Sequence, residues 1–258
     1  MKKQIYTLVL LTYTSLSAGW MDVVTDAVKT VDTTKSSSSK SSSLQDKAIK
    51  EALKQGVSFA VKSLSVKDSY LNDKDVKILL PKSVEKMEPY IRKMGGDEVV
   101  NNLILSMNSA ATEAAPKTAE IFYKSIKGMS IKDAQKILSS ESNALTQYFK
   151  DNSYKDLEVL IEPIVKKMMD KNEVSAYYKQ VREYYDENSG SIPYKDSLAG
   201  FGTSMGINDY IPPKDLNSYV TKKSIDGLLF KIAQEEKNIR DNPLVQKSKI
   251  IRDVFGAL

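Results

Sequence analysis

Six charged residues gather near the C-terminal end of the 258-residue chain: Lys222, Lys223, Asp226, Glu235, Glu236 and Arg240. Their spacing predicts that they share one long helix over 215–240, where residues four apart lie one turn above the other. Lys222 then faces Asp226, and Glu236 faces Arg240. Such a cluster can bind a ligand or a partner; as plain surface pairs the same residues contribute about 0.2–0.5 kcal/mol each. Asp226 precedes Gly227 and adjoins Ile225, Leu228 and Leu229, so a carboxylate there needs a partner if that edge is buried. Further upstream, Asn108 and Glu113 flank the small residues Ser109-Ala110-Ala111. Small side chains admit a ligand or a second helix; tight packing, with Asn108 bonded to nearby backbone, is the plainer outcome.

Composition limits the chemistry. The chain has no Cys and no His. Disulfides, thiolate nucleophiles, Ser-His-Asp and Cys-His arrangements and the usual zinc ligand sets are therefore excluded. Carboxylates, Lys, Tyr, Ser or an oxygen-bound hard metal remain. Glycoside hydrolysis needs only two carboxyl groups about 5–10 Å apart, and Glu113, Asp226 and Glu236 are the acids to test, although 33 acidic residues supply such pairs by chance. The run Gly200-Phe201-Gly202-Thr203-Ser204-Met205-Gly206 lacks the preceding strand and the following Lys of a phosphate loop. Asp68, Asp73 and Asp75 lack the Gly and closing Glu of a calcium loop. The tyrosines from Tyr177 to Tyr185 fit a packing face more readily than a binding groove. No catalytic residue, metal ligand or cofactor is assigned. The net charge of +5, less the two charges of Lys2 and Lys3, leaves +3, and Lys alternates with Asp and Glu along the chain. That is a solvated surface, not a nucleic-acid footprint.

The elements that must position these residues are helical. Residues 1–19 combine Lys2 and Lys3, a short apolar run from Ile5 to Leu16 and small residues up to Gly19, the pattern of a secretory signal peptide. The run is too short to span about 30 Å of hydrocarbon, and no later segment can do so. Residues 20–43 end in Ser and Lys runs and are expected to be a flexible tether. Residues 44–258 form the expected domain. Ile49, Leu53, Val57, Ala60, Val61 and Leu64 make one helical stripe. Leu71 to Pro81 is a connector; Gly95-Gly96 ends one helix and Asp97 begins the next. Ser130 to Asp133 has capping-box form. Short helices are expected over 131–138 and 142–150, and long ones over 154–171, kinked at Pro163, and 174–188. The stretch from Glu187 to Pro213 is the least regular, and Pro243 opens a last helix. No strand alternation is visible. The expected fold is all-α, a single bundle-like domain of eight to ten helices.

The segment from Tyr219 to Pro243, with Ser106 to Ala111, Glu113-Ala114-Ala115-Pro116 and Thr146-Gln147-Tyr148-Phe149, resembles a family of exported bacterial proteins catalogued as domain of unknown function 4197. The resemblance covers roughly Leu44 to Phe255 and is most specific from Tyr219 to Pro243. It implies a helical, exported, single-domain protein and supplies no reaction. With Gln147 from the third of these blocks, the candidate ligand- or partner-binding residues are Asn108, Glu113, Gln147, Lys223, Asp226, Glu236 and Arg240.

The expected function is that of a non-enzymatic, periplasmic envelope protein. It would hold an envelope partner protein or a small apolar or amphipathic ligand between helices. Carboxylate-dependent hydrolysis of envelope glycans and a structural or assembly role are the alternatives.

Overall fold

A computed structural model describes residues 20–85, 88–93, 95–140, 143–171, 178–179 and 216–257. The expected leader, most of the expected helix over 174–188 and the Gly200–Gly206 run lie outside the described residues. Ser43–Leu258 forms one compact unit and Met1–Ser42 another.

The described residues contain no strand, in agreement with the all-α expectation. In chain order the helices are α1 (Trp20–Leu64), α2 (Ser69–Asn72), α3 (Lys82–Glu85), α4 (Glu88–Lys93), α5 (Asp97–Ala114) and α6 (Ala119–Gly128), followed by α7 (Ile131–Leu138), α8 (Ala144–Lys171), α9 (Leu216–Asp241) and α10 (Lys249–Phe255). Short 3-10 turns join α5 to α6 (Ala115–Thr118) and α9 to α10 (Pro243–Val245). The Ser- and Lys-rich stretch expected as a tether is the first part of α1 and, up to Ser42, falls outside the unit Ser43–Leu258, which fits that expectation.

Local signals account for most boundaries. Gly95 has φ +88°, the left-handed turn that closes α4. Ser130 and Asp133 form the expected capping box: the Asp133 N–H donates to Ser130 Oγ at 3.2 Å and the Ser130 N–H to Asp133 Oδ2 at 3.1 Å. The two helices expected over 142–150 and 154–171 are one continuous helix, α8. Its apolar positions Leu145, Phe149, Leu157, Ile161, Val165 and Met169 are all buried, with buried Ser153 bridging the presumed break. Packing thus overrides the local weakness of Asp151-Asn152-Ser153. Pro163 sits inside α8 on its exposed face. The hydrogen bond it forfeits is the one to the carbonyl of Val159, a residue that is itself 69% exposed, so solvent can take over that acceptor.

α9 packs extensively on α8, and α5 and α6 close over α8. Between α6 and α8, Phe122 and Phe149 meet edge to face at 4.8 Å. The alanines of α5 (Ala110, Ala111 and Ala114) are fully buried, so the small-residue run serves helix packing. Ile49, Leu53, Val57, Ala60 and Leu64 bury the stripe of α1, with Val61 partly buried beside it. α1 packs on α9 at Gly56, where a Cβ would meet Ile232 Cγ2 at 3.4 Å, about an ordinary contact. One turn away, Gln55 Nε2 donates to Glu235 Oε1 (2.6 Å) and to Gln246 Oε1 (2.8 Å), a polar seam within an otherwise apolar contact.

Tyr70 of α2 lies fully buried against α9 and its hydroxyl donates to the Ser224 carbonyl at 2.7 Å. The ring fits because position 227 has no side chain. A Cβ on Gly227 would stand 2.6 Å from Tyr70 Cε1. Gly227→Ala is therefore expected to cost about 1–3 kcal/mol, the usual range for overpacking, measured as a lower midpoint in urea. Restored stability in Gly227→Ala/Tyr70→Leu would attribute the loss to this contact; no loss in the single variant would refute it.

Candidate functional site

The candidate residues fall into two places, with two outliers. Glu236 and Arg240 meet where α7, α8, α9 and α10 converge. Glu236 is 1% exposed, so the surface pair expected from its spacing is in fact a buried one. Its carboxylate accepts from the N–H groups of Asn143, Leu145 and Thr146 and from the Thr146 hydroxyl, each at 3.2 Å. These are the donors that a helix N-terminus leaves without intrahelical partners, so α9 caps α8 from outside. Arg240 Nε donates to the same carboxylate at 3.2 Å, Nη2 donates to the Ile137 carbonyl in the last turn of α7, and the guanidinium lies 5.8 Å from the Phe255 ring centroid. Every oxygen of Glu236 is engaged. Gln147 stands next to this junction but outside it, its exposed amide donating to Asp151 at 2.7 Å. Glu113 is exposed on α5 and pairs with Lys117 at 3.4 Å.

The second place is an open groove of about 580 Å³ between the connector 75–85 and one face of α9. Leu79, Leu80 and Pro81 form one wall, Tyr219, Gly227 and Phe230 the other. Lys77, Lys82, Lys223, Asp75, Glu85 and Asp226 stand around them. Lys223 and Asp226 are thus the candidates that the fold brings together in a cleft. Asp226 is exposed, and among the described residues it forms no ion pair with Lys222; Lys223 lies 5.9 Å from the Tyr219 ring centroid. Its carboxylate still acts at short range. The Tyr70 phenol is pushed up first by burial and then by Asp226, and the half-buried Tyr154 phenol, by the same two causes and Glu158, is pushed up to about 12. Of the three acids marked for glycan hydrolysis, the groove holds Asp226 and neither Glu113 nor Glu236.

Asn108 builds this groove from behind. Its side chain is 1% exposed. Oδ1 accepts the Ile78 N–H at 2.8 Å, and Nδ2 donates to the Ile78 carbonyl at 2.9 Å and to the Ile104 carbonyl at 2.7 Å. Both main-chain groups of Ile78 point at one amide, the mark of extended backbone. Burial alternates to match: Val76, Ile78 and Leu80 are buried, while Lys77 and Leu79 are exposed. On the opposite edge the Tyr219 hydroxyl donates to the Leu79 carbonyl at 3.0 Å. The start of the connector is tied to α9 by Lys231, nearly buried, whose Nζ lies 2.6 Å from Asp73 Oδ2 and 2.9 Å from Gln234 Oε1. Burial works to raise the Asp73 carboxyl, but the Lys231 and Asp75 hydrogen bonds outweigh it and hold the group below its usual value.

Sequence reasoning passed over Leu79, Tyr219 and Phe230, which line the groove. The available signal was an apolar pair, Leu79-Leu80, closing a charged connector. Among the described residues, no cluster of three or more His, Cys, Asp or Glu side chains is placed to hold a metal, and no helix is long and apolar enough to cross a membrane.

The two places should answer differently to mutation. Glu236→Ala leaves three N–H groups and a partly buried guanidinium without their acceptor and is expected to cost about 3–5 kcal/mol. Asp226→Asn, at an exposed carboxylate, should stay within about 0.5 kcal/mol of the parent protein. Urea denaturation of both variants checks the division. A second test uses pH. Because the folded Asp73 carboxyl titrates below its unfolded value of 3.8, its contribution is present above that value and is lost as pH falls through the folded one. Below about pH 4, Asp73→Asn should show a shallower loss of stability than the parent in acid denaturation; parallel curves would exclude the coupling.

No curated protein and no solved structure matches this chain. A family model described as "Protein of unknown function (DUF4197)" matches residues 39–256, which is nearly the whole described unit, and the chain therefore belongs to that family.

Proposed function

We propose that this protein is a non-enzymatic binding protein whose groove between the connector and α9 takes an amphipathic partner. The observation that carries the reading is the pairing of two exposed large apolar side chains, Leu79 (53% exposed) and Phe230 (40%), in one cleft. Both are surrounded by charges of both signs. An apolar floor with a charged rim matches a partner that is apolar on one side and polar on the other. The clamp of Asn108 on Ile78 holds one wall in place before anything binds, and preorganisation of that kind favours affinity. The reading of residues 1–19 as a secretory leader supports action outside the cytoplasm, in the bacterial envelope.

The test is a titration of the mature domain with N-phenyl-1-naphthylamine, an uncharged apolar fluorophore. Saturable enhancement is expected. Leu79→Ser/Phe230→Ser should weaken it about tenfold or more, with the stability change small because both side chains are exposed. No saturable binding, or binding unchanged in the double variant, would remove the groove from consideration.

A further inference from the structure

Resting on that reading, we propose that the occupant of the groove is an extended peptide segment of a partner protein, which pairs with the main chain at the outward edge of Leu79, the Lys77 N–H beside it being bonded back to the Asp73 carbonyl at 2.8 Å. After the turn that closes on Asp73, residues 77–80 have the features of a strand without a sheet: burial with a period of two, and both main-chain groups of Ile78 directed to one side. On that side Asn108 stands where a neighbouring strand would be, donating and accepting as a paired residue does. Successive residues of a strand present their main-chain groups to opposite edges, so those of Leu79 face away from Asn108. This is confirmed on the acceptor, because Leu79's carbonyl is reached by Tyr219 from α9, which lines the groove. The Leu79 N–H, by contrast, has no acceptor among the described residues. An extended chain laid in the groove brings a carbonyl to that donor, and main-chain pairing of this kind gives affinity with little demand on sequence.

The charges around the cleft favour the same class of partner. Lys77, Lys82 and Lys223 are balanced by Asp75, Glu85 and Asp226. A polyanion or an anionic membrane surface would meet three carboxylates. A peptide with an apolar residue against Leu79 and Phe230 and alternating charges beside it meets complementary groups throughout.

The experiment selects peptides from a phage-displayed random dodecamer library on the intact mature protein, then measures them by displacement of N-phenyl-1-naphthylamine. Selected peptides should displace the probe. N-methylation of the peptide on the edge facing residue 79 should weaken them tenfold or more, with methylation on the outer edge tolerated. In a 15N spectrum the Leu79 amide should move downfield and gain protection from exchange. Leu79→Pro, which removes the donor from a backbone already extended, should lose tenfold or more, while Leu79→Val retains most of the affinity. If Leu79→Pro fails to fold, the methylated peptides and the amide shift decide on unaltered protein. Peptides that displace the probe but ignore methylation and leave the Leu79 amide unmoved overturn strand addition and leave the groove reading standing. Probe binding with no peptide able to compete overturns the peptide and keeps a small amphiphile. Absence of both removes the inference and the reading together.

Discussion

A buried carboxylate with no spare oxygen holds this fold together. Glu236 reaches from α9 to the first turn of α8 and satisfies donors that the helix cannot satisfy itself. The junction is charged in a consistent sense: the anion meets the positive end of α8, and Arg240 sets its cation against the carbonyl end of α7. Burying a carboxylate is unfavourable unless every lone pair is used, and here the register of α8 against α9 is what uses them. A slip of one residue along either helix would leave the charge stranded. The α8–α9 interface is thereby pinned at one end, and Leu157 and Ile161 of α8 and Val220 and Leu228 of α9 are buried in the common core.

The groove depends on that interface indirectly. Its α9 wall is presented by the helix whose other face packs on α8, and its opposite wall, Leu79 to Pro81, lies between helices. The connector owes its shape to three anchors of different kinds: Tyr70 seated on Gly227, Lys231 bound to Asp73, and Asn108 bonded to Ile78. Each fixes one stretch of the chain between Tyr70 and Leu80. A segment with no regular hydrogen-bond ladder of its own therefore holds a defined course.

Much of the fold was legible because helices advertise themselves. The stripe of α1, the capping box of α7 and the glycine stop after α4 are local, and local features can be read without knowing what lies across the core. The division between residues 150 and 154 was misread for the complementary reason: what carries α8 through Asn152 and Ser153 is contact with α5, α6 and α9, none of which is near in sequence. The candidate site was legible in part. Spacing alone paired Glu236 with Arg240, but spacing does not reveal depth, so a cap looked like a surface pair. Asn108 is bonded to backbone as its spacing suggests, to Ile104 one turn back, but both main-chain groups of Ile78, thirty residues away, are also its partners. The extended stretch escaped notice because its outward position 79 is a leucine, which erases the alternation of apolar and polar residues on which a strand is recognised.

A lone extended segment is ordinarily a liability, since an unpaired edge offers itself to other copies of the same chain and seeds aggregation. The surroundings of residues 76–80 temper that hazard. Asn108 closes one edge for good, Pro81 ends the segment with a residue that has no N–H, Lys77 places a charge on the outward face, and Tyr219 occupies the Leu79 carbonyl. What is left is an edge too short and too guarded to template a stack of its own kind. The side-chain amide that shapes the cleft thus also limits how much unpaired main chain the segment offers to other copies.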